Sequence, residues 1–75
     1  MMSQENVHLY NVLEKNVRAK KSLVGHVEAI SDRFILIAAT GGVKYNVPRS
    51  HIKSEIGKEI LLDISPKELQ KYRFK

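Results

Sequence analysis

The chain has 75 residues and no cysteine, so it fits one small domain (residues 1–75) without disulfides or thiolate metal sites, as expected in the cytoplasm. The net charge is +5, and the excess lies in residues 15–21 and 67–75. A basic protein attracts nucleic acid, an anionic membrane surface or an acidic partner. Equally, the lysines of a small domain can serve only to keep it in solution. No apolar run approaches the roughly 20 residues of a membrane span, and residues 1–10 do not resemble a secretory signal.

The first third of the sequence predicts a loose start, a short helix and two strands. Residues 1–4 have no apolar periodicity, and residues 5–14 have the apolar spacing of a short helix with one apolar face. A short strand over residues 16–19 leads through a turn into a second strand over residues 23–31. Gly25 inside that strand predicts a β-bulge or a close approach of the backbone, and Val27 and Ile30 are spaced as a bulge requires.

Residues 33–40 are apolar on both faces of a predicted strand. We expect the face with Phe34 to point inward, so the opposite face needs a cover. The N-terminal segment, the C-terminal helix or a second copy of the chain could supply it. The candidate protein interface therefore consists of Ile35, Ile37 and Ala39.

The remaining elements are a hairpin, a closing strand and a helix. Gly41 and Gly42 suit a tight turn before a strand over residues 43–47, in which Tyr45 points inward and which Pro48 ends. After a connection, residues 59–64 form the last strand. Ser65 and Glu68 have the spacing of a capping box, which predicts a helix over residues 66–72. About five short strands and a C-terminal helix indicate a mainly β protein, a small closed or partly closed barrel.

Two stretches resemble the PRC-barrel family. Residues 16–30 are similar to its opening strands, with a G-x-V-x-x-I pattern at residues 25–30. Residues 45–52, YNVPRSHI, are similar to its Y-x-[IV]-P-[KR]-S-x-[IV] segment. Gly57, Ile60 and Leu62 resemble the closing strand, and residues 65–72 resemble the helical end of small archaeal members. The resemblance covers residues 12–72.

The resemblance implies a small SH3-like β-barrel of about five strands that is not an enzyme. Members of the family dock onto other proteins and often self-associate, and they share no set of functional residues. We therefore expect a non-catalytic adaptor that binds protein, as a homodimer, with no cofactor, no metal and no small-molecule substrate.

Residue types that carry chemistry are sparse. His8, His26 and His51 lack the spacing of a metal site. Ser50 and His51 are adjacent, but side chains of adjacent turn residues point apart, and no nucleophile elbow surrounds them. The glycines at residues 41–42 lack the helix of a phosphate-binding loop.

Binding to RNA or DNA is the alternative function. Small barrels bind nucleic acid through a basic face and exposed aromatic rings, of which this chain has few. The candidate contacts to nucleic acid or an acidic partner, which could line one side, are Arg18, Lys20, Lys21, Arg33, Lys44, Arg49 and Lys53.

Overall fold

The computed structural model describes residues 13–74, which form a mainly β structure with one short helix, α1 (Pro66–Leu69). The strands are β1 (Asn16–Ala19), β2 (Ser22–Ile30), β3 (Phe34–Ala38), β4 (Lys44–Pro48), β5 (Ile52–Ile56), β6 (Glu59–Leu62) and β7 (Arg73–Phe74). Single 3₁₀ turns lie at Thr40–Gly42, Arg49–His51 and Gln70–Tyr72. The expected class, mainly β with a short C-terminal helix, is confirmed.

All seven strands belong to one sheet, in the order β5-β6-β1-β2-β3-β4-β7. Every neighbouring pair is antiparallel except β1 and β6, which are parallel. The sheet has seven strands, so the expected barrel of about five strands is not confirmed. β5 and β7 lie at opposite ends of the order and do not pair with each other, so the sheet formed by residues 13–74 is open.

The two strands that the sequence did not predict lie at the edges of the sheet. β5 pairs with β6, and its sequence, IKSEI, has only two apolar residues with three polar ones between them. β7 has two residues, Arg73 and Phe74, which pair with Tyr45 and Lys44 of β4. Neither strand has the regular apolar alternation that indicates a half-buried strand.

β2 bends because extra residues interrupt its two ladders. Val24 is unmatched where β2 pairs with β1, and Glu28 is unmatched where β2 pairs with β3. Bulges of this kind bend a strand and increase its twist. Between them, Gly25 passes so close to β3 that an added Cβ atom would lie 2.1 Å from the carbonyl oxygen of Ala38. Of the two alternatives predicted for Gly25, the close approach is confirmed at this residue, while the bulges lie at Val24 and Glu28.

The β3–β4 hairpin turns at two glycines, as predicted. Gly41 and Gly42 have φ angles of +78° and +79°, in the left-handed region that glycine occupies without steric cost. The amide of Ala39 donates a 2.8 Å hydrogen bond to the carbonyl of Val43 and closes the turn.

The hydrophobic core lies against one face of the bent sheet. Successive strands place alternate residues in it, as the two-residue period of a strand requires. Its buried members are Val17, Ala19, Val27, Ile35, Ile37, Tyr45, Val47, Ile60, Leu62, Ile64 and Leu69.

Helix α1 begins with the predicted capping box. The amide of Glu68 donates to the Ser65 hydroxyl at 3.1 Å, and the amide of Ser65 donates to the Glu68 carboxylate at 3.1 Å. Pro66 stands at the first helical position, where its missing amide hydrogen costs nothing. The helix buries Leu69 completely and so adds one side chain to the core.

The predicted N-terminal helix over residues 5–14 lies outside the described residues except for Leu13 and Glu14, which form a turn. His8 and the loose start over residues 1–4 also lie outside them.

Candidate interaction surface

The inward face of β3 is covered by the chain itself. Ile35 and Ile37 have 0% of their surface exposed, and Ala39 packs against the same core. The expectation that these three residues form a protein interface is therefore wrong. The side chains that cover them come from other strands and from α1, among them Val17, Val47 and Leu69, so no partner is needed.

The outward face of β3 is the apolar face that reaches solvent. Phe34 is 38% exposed, and Leu36 and Ala38 are half-buried. The expectation that Phe34 points inward is wrong. Neighbouring residues on a strand point to opposite faces, so Phe34 faces outward because Ile35 faces the core. Because β3 is apolar on both faces, its sequence does not distinguish them.

Neighbouring strands extend this apolar surface. Residues directly opposite each other in an antiparallel ladder share a face. Pro48 lies opposite Phe34, and Ala29 lies opposite Leu36. We call the resulting surface the outer patch and define it as Ala29, Phe34, Leu36, Ala38 and Pro48.

A shallow groove of about 170 Å³ runs through the outer patch. It is open to solvent, and its walls are mostly apolar. The lining residues are Ala29, Ile30, Ser31, Phe34, Leu36 and Asn46. A groove of this shape can accept an apolar side chain from outside, but it does not enclose a small molecule.

The rim of the outer patch carries both signs of charge. The ammonium group of Lys44 on β4 forms a 2.9 Å ion pair with the carboxylate of Glu28, the bulged residue of β2. Phe74 of β7 lies opposite Lys44 in the ladder and is 56% exposed, so it adds an aromatic ring at the edge of the patch.

Three of the seven candidate basic contacts are engaged within the protein. Arg18 pairs with Glu59 at 3.0 Å and also donates to the carbonyl of Lys21 at 3.3 Å. Lys44 pairs with Glu28, as described. The guanidinium of Arg49 donates to the carbonyl of Ser31 at 2.9 Å and so fixes the β2–β3 turn to the end of β4.

The other four basic candidates are exposed and widely separated. Lys20 and Lys21 form the β1–β2 turn, Arg33 lies in the β2–β3 turn at the other end of β2, and Lys53 is the bulged residue of edge strand β5. Whether all seven line one side therefore stays a prediction, and Lys20 and Lys21 are the two that are adjacent in one turn.

His51 joins the C-terminal segment to the sheet. Its Nδ1 atom lies 2.9 Å from the Asp63 carboxylate, and its Nε2 atom lies 3.1 Å from the hydroxyl of Tyr72. A neutral ring makes both bonds when Nδ1–H donates to the carboxylate and Nε2 accepts from the hydroxyl. Nearby, the side-chain amide of Gln70 donates to the Tyr45 hydroxyl at 3.0 Å.

The hydrogen bonds of His51 indicate a structural role for this residue. Every polar atom of the His51 ring is used to hold Asp63 or Tyr72, and no hydrogen bond joins Ser50 to it among the described residues. Sequence reasoning missed Asp63 and Tyr72 because they lie 12 and 21 residues from His51, and no local pattern signals such contacts.

Two further findings describe residues 13–74. No three histidine or carboxylate side chains in this range come together in a way that could hold a metal ion. No helix in it is long and apolar enough to cross a membrane.

Comparisons with protein-family models, with curated proteins and with solved structures found no match to this chain.

Proposed function

We propose that the protein is a non-catalytic docking module that self-associates through the outer patch, and that its bent, open sheet is a partly closed SH3-like barrel of the PRC type. The resemblance of residues 45–52 to the PRC-barrel family supports the fold. In this segment Tyr45 and Val47 enter the core, and Arg49 ties the corner after Pro48 to the β2–β3 turn.

The observation that carries the proposal is the asymmetry of β3. Its inward residues are completely buried by one chain, yet its outward residues are just as apolar and remain partly in water. Single exposed apolar residues are ordinary on protein surfaces, whereas contiguous ones mark interaction sites. Phe34, Leu36 and their cross-strand neighbours are contiguous, and a groove runs between them.

The partner that we assign to this surface is a second copy of the chain. A two-fold interface brings the same patch of both copies together, so the patch must be complementary to itself. Glu28 and Lys44 lie on the same outward rim with opposite charges. A two-fold axis through the outer patch lets Glu28 of each copy face Lys44 of the other, while Phe34 of each copy enters the groove of the other.

The balanced charge of the rim matters because the whole molecule has a net charge of +5. Two copies repel each other over most of their surface. The outer patch has an apolar centre, and the Lys44–Glu28 pair on its rim is neutral, so this pair adds nothing to that repulsion.

Sedimentation velocity over a concentration series tests the proposal. We expect a wild-type dimer, and we expect Phe34→Glu to give a folded monomer because it places one charge per copy at the centre of the contact. The matched control is Leu23→Glu, which replaces another exposed apolar residue, 57% exposed, on a different part of the sheet. It should remain dimeric.

A second variant tests whether the opposite face of β3 belongs to the core. Ile37→Glu buries a carboxylate with no partner, which costs several kcal/mol, so we expect it to lose the folded state. A wild-type protein that remains monomeric at the highest concentration would overturn the proposal. So would a Leu23→Glu variant that dissociates as readily as Phe34→Glu.

A further inference from the structure

The lysines of the β1–β2 turn lie beside helix α1. Ala19, the last residue of β1, is opposite Leu62 of β6 in the parallel ladder, and α1 follows β6 after a short connection. Ala19, Ile64 and Leu69 belong to the same core cluster. The turn at Lys20 and Lys21 is therefore on the same side of the molecule as the helix.

Glu68 of α1 lies within electrostatic reach of Lys20. Its hydrogen bonds with Ser65 lower the pKa of its carboxyl group, and the positive charges of Lys71 and Lys20 lower it further. Two lysines from distant parts of the sequence therefore act on one carboxylate. Lys67 and Lys71 are four residues apart in the same helical segment, so Lys67 adds a further exposed positive charge to this end of the chain.

The turn itself is held in shape. The guanidinium of Arg18 donates to the carbonyl of Lys21 at 3.3 Å, and Lys20 takes a left-handed conformation with a φ of 58°. We call Lys20, Lys21, Lys67 and Lys71 the lysine cluster. All four are exposed, and their ammonium groups form no hydrogen bond or close ion pair with any residue in the range 13–74.

The cluster differs in this respect from several other cations of the protein. Lys15 pairs with Glu55, Arg18 with Glu59, and Lys44 with Glu28. Those acidic residues neutralise cations elsewhere. The one carboxylate shown to interact with the cluster, Glu68, already accepts a hydrogen bond from the Ser65 amide.

We infer that the lysine cluster binds the phosphate backbone of double-stranded nucleic acid, independently of the outer patch. Lysine ammonium groups are point charges that neutralise phosphates and release counterions without reading sequence. Proteins that bind single-stranded nucleic acid stack its bases on exposed aromatic rings. Within residues 13–74, the exposed rings of Phe34 and Phe74 lie at the outer patch and its edge, not at this turn, so a duplex backbone fits the cluster better than single-stranded bases.

The test is fluorescence anisotropy with a labelled duplex of mixed sequence over a range of salt concentrations. Three or four phosphate contacts predict a slope of about −3 in log affinity against log salt. Replacing all four lysines of the cluster with glutamine should weaken binding at least about tenfold at low salt and flatten the slope.

The matched control removes the same charge elsewhere. Arg33, Lys53, Lys58 and Arg73 are also exposed, and replacing these four with glutamine changes the net charge equally. We expect that variant to bind within about threefold of the wild type. Phe34→Glu should also retain binding, so failure of this inference is distinguishable from failure of the docking proposal. Circular dichroism verifies that each variant is folded.

Three results would overturn the inference. One is no binding of the wild type at low salt. Another is an equal loss in the cluster variant and the control variant, which would show that only total charge matters. The third is competition by polyglutamate as effective as competition by unlabelled duplex, which would indicate an acidic protein partner.

Discussion

At the scale of single residues, alternation along β3 decides which apolar side chains a partner can reach. Ile35 and Ile37 fill the core, and Phe34 and Leu36 face outward. A shift of one residue exchanges the two sets, since the side-chain period of a strand is two. The chemistry of the four side chains is similar, so their different roles come only from the direction in which each one points.

Gly25 provides a prediction at this scale. In Gly25→Ala, the new Cβ would lie 2.1 Å from the carbonyl oxygen of Ala38, and a backbone atom of a paired strand cannot easily move away. We expect a loss of about 3 kcal/mol in the free energy of unfolding, measured by urea denaturation.

Gly41→Ala is the matched control for that substitution. Gly41 has open space around it, and the cost comes only from its positive φ, which amounts to about 1 kcal/mol. If the two variants lose the same stability, the close approach of β2 to β3 is not a feature of the protein in solution.

At the scale of elements, the short helix α1 depends on its cap and on one buried side chain. Its four residues are too few to be stable alone. The capping box satisfies amides at its start, and Leu69 anchors it in the core. Contacts of His51 with Asp63 and Tyr72 then hold the chain that leads from the helix to β7. Side-chain contacts therefore stabilise the helix, and they add to the backbone pairing that holds β7 against β4.

The cap predicts a dependence of stability on pH. Hydrogen bonds with Ser65 lower the pKa of Glu68 in the folded state, so the charged carboxylate stabilises the fold. That contribution is complete above the pKa of the unfolded state and is lost as the pH falls through the lower pKa of the folded state. Glu68→Gln should therefore be less stable than the wild type at pH 7, and the difference should disappear in acid.

Thermal unfolding of both proteins between pH 7 and pH 3 measures this difference. Ser65→Ala should cost about 1 kcal/mol at pH 7 because the hydroxyl no longer accepts from the Glu68 amide. Lys67→Gln, on the same turn but without a capping bond, should change stability little. A difference between wild type and Glu68→Gln that is constant with pH would contradict the role of the charged carboxylate.

At the scale of the whole molecule, the sequence predicts the parts of the fold that local rules determine. The strand at Asn16–Ala19, the glycine hairpin and the capping box follow from alternation, turn chemistry and side-chain spacing. The edge strands do not, because β5 is mostly polar and β7 has two residues, so both form only against neighbours already in place. The inward face of β3 is also set by tertiary packing.

The same limit applies to the candidate sites. The sequence shows an excess of positive charge, but it does not show that Arg18, Lys44 and Arg49 are engaged within the protein while Lys20 and Lys21 are not. Partners such as Glu59 and Glu28 are brought to them by strand pairing across the sheet. Charge counts therefore indicate a class of partner, and the fold decides which cations can meet it.

The most direct test of the docking account is an isotope-filtered NMR experiment on a mixture of labelled and unlabelled protein. It detects contacts only between different copies of the chain. We expect intermolecular contacts from the Phe34 ring and the Leu36 methyl groups to Ala29, Phe34 and Leu36 of the other copy. An absence of intermolecular contacts at millimolar concentration, or contacts confined to Leu23 and Ile56, would contradict it.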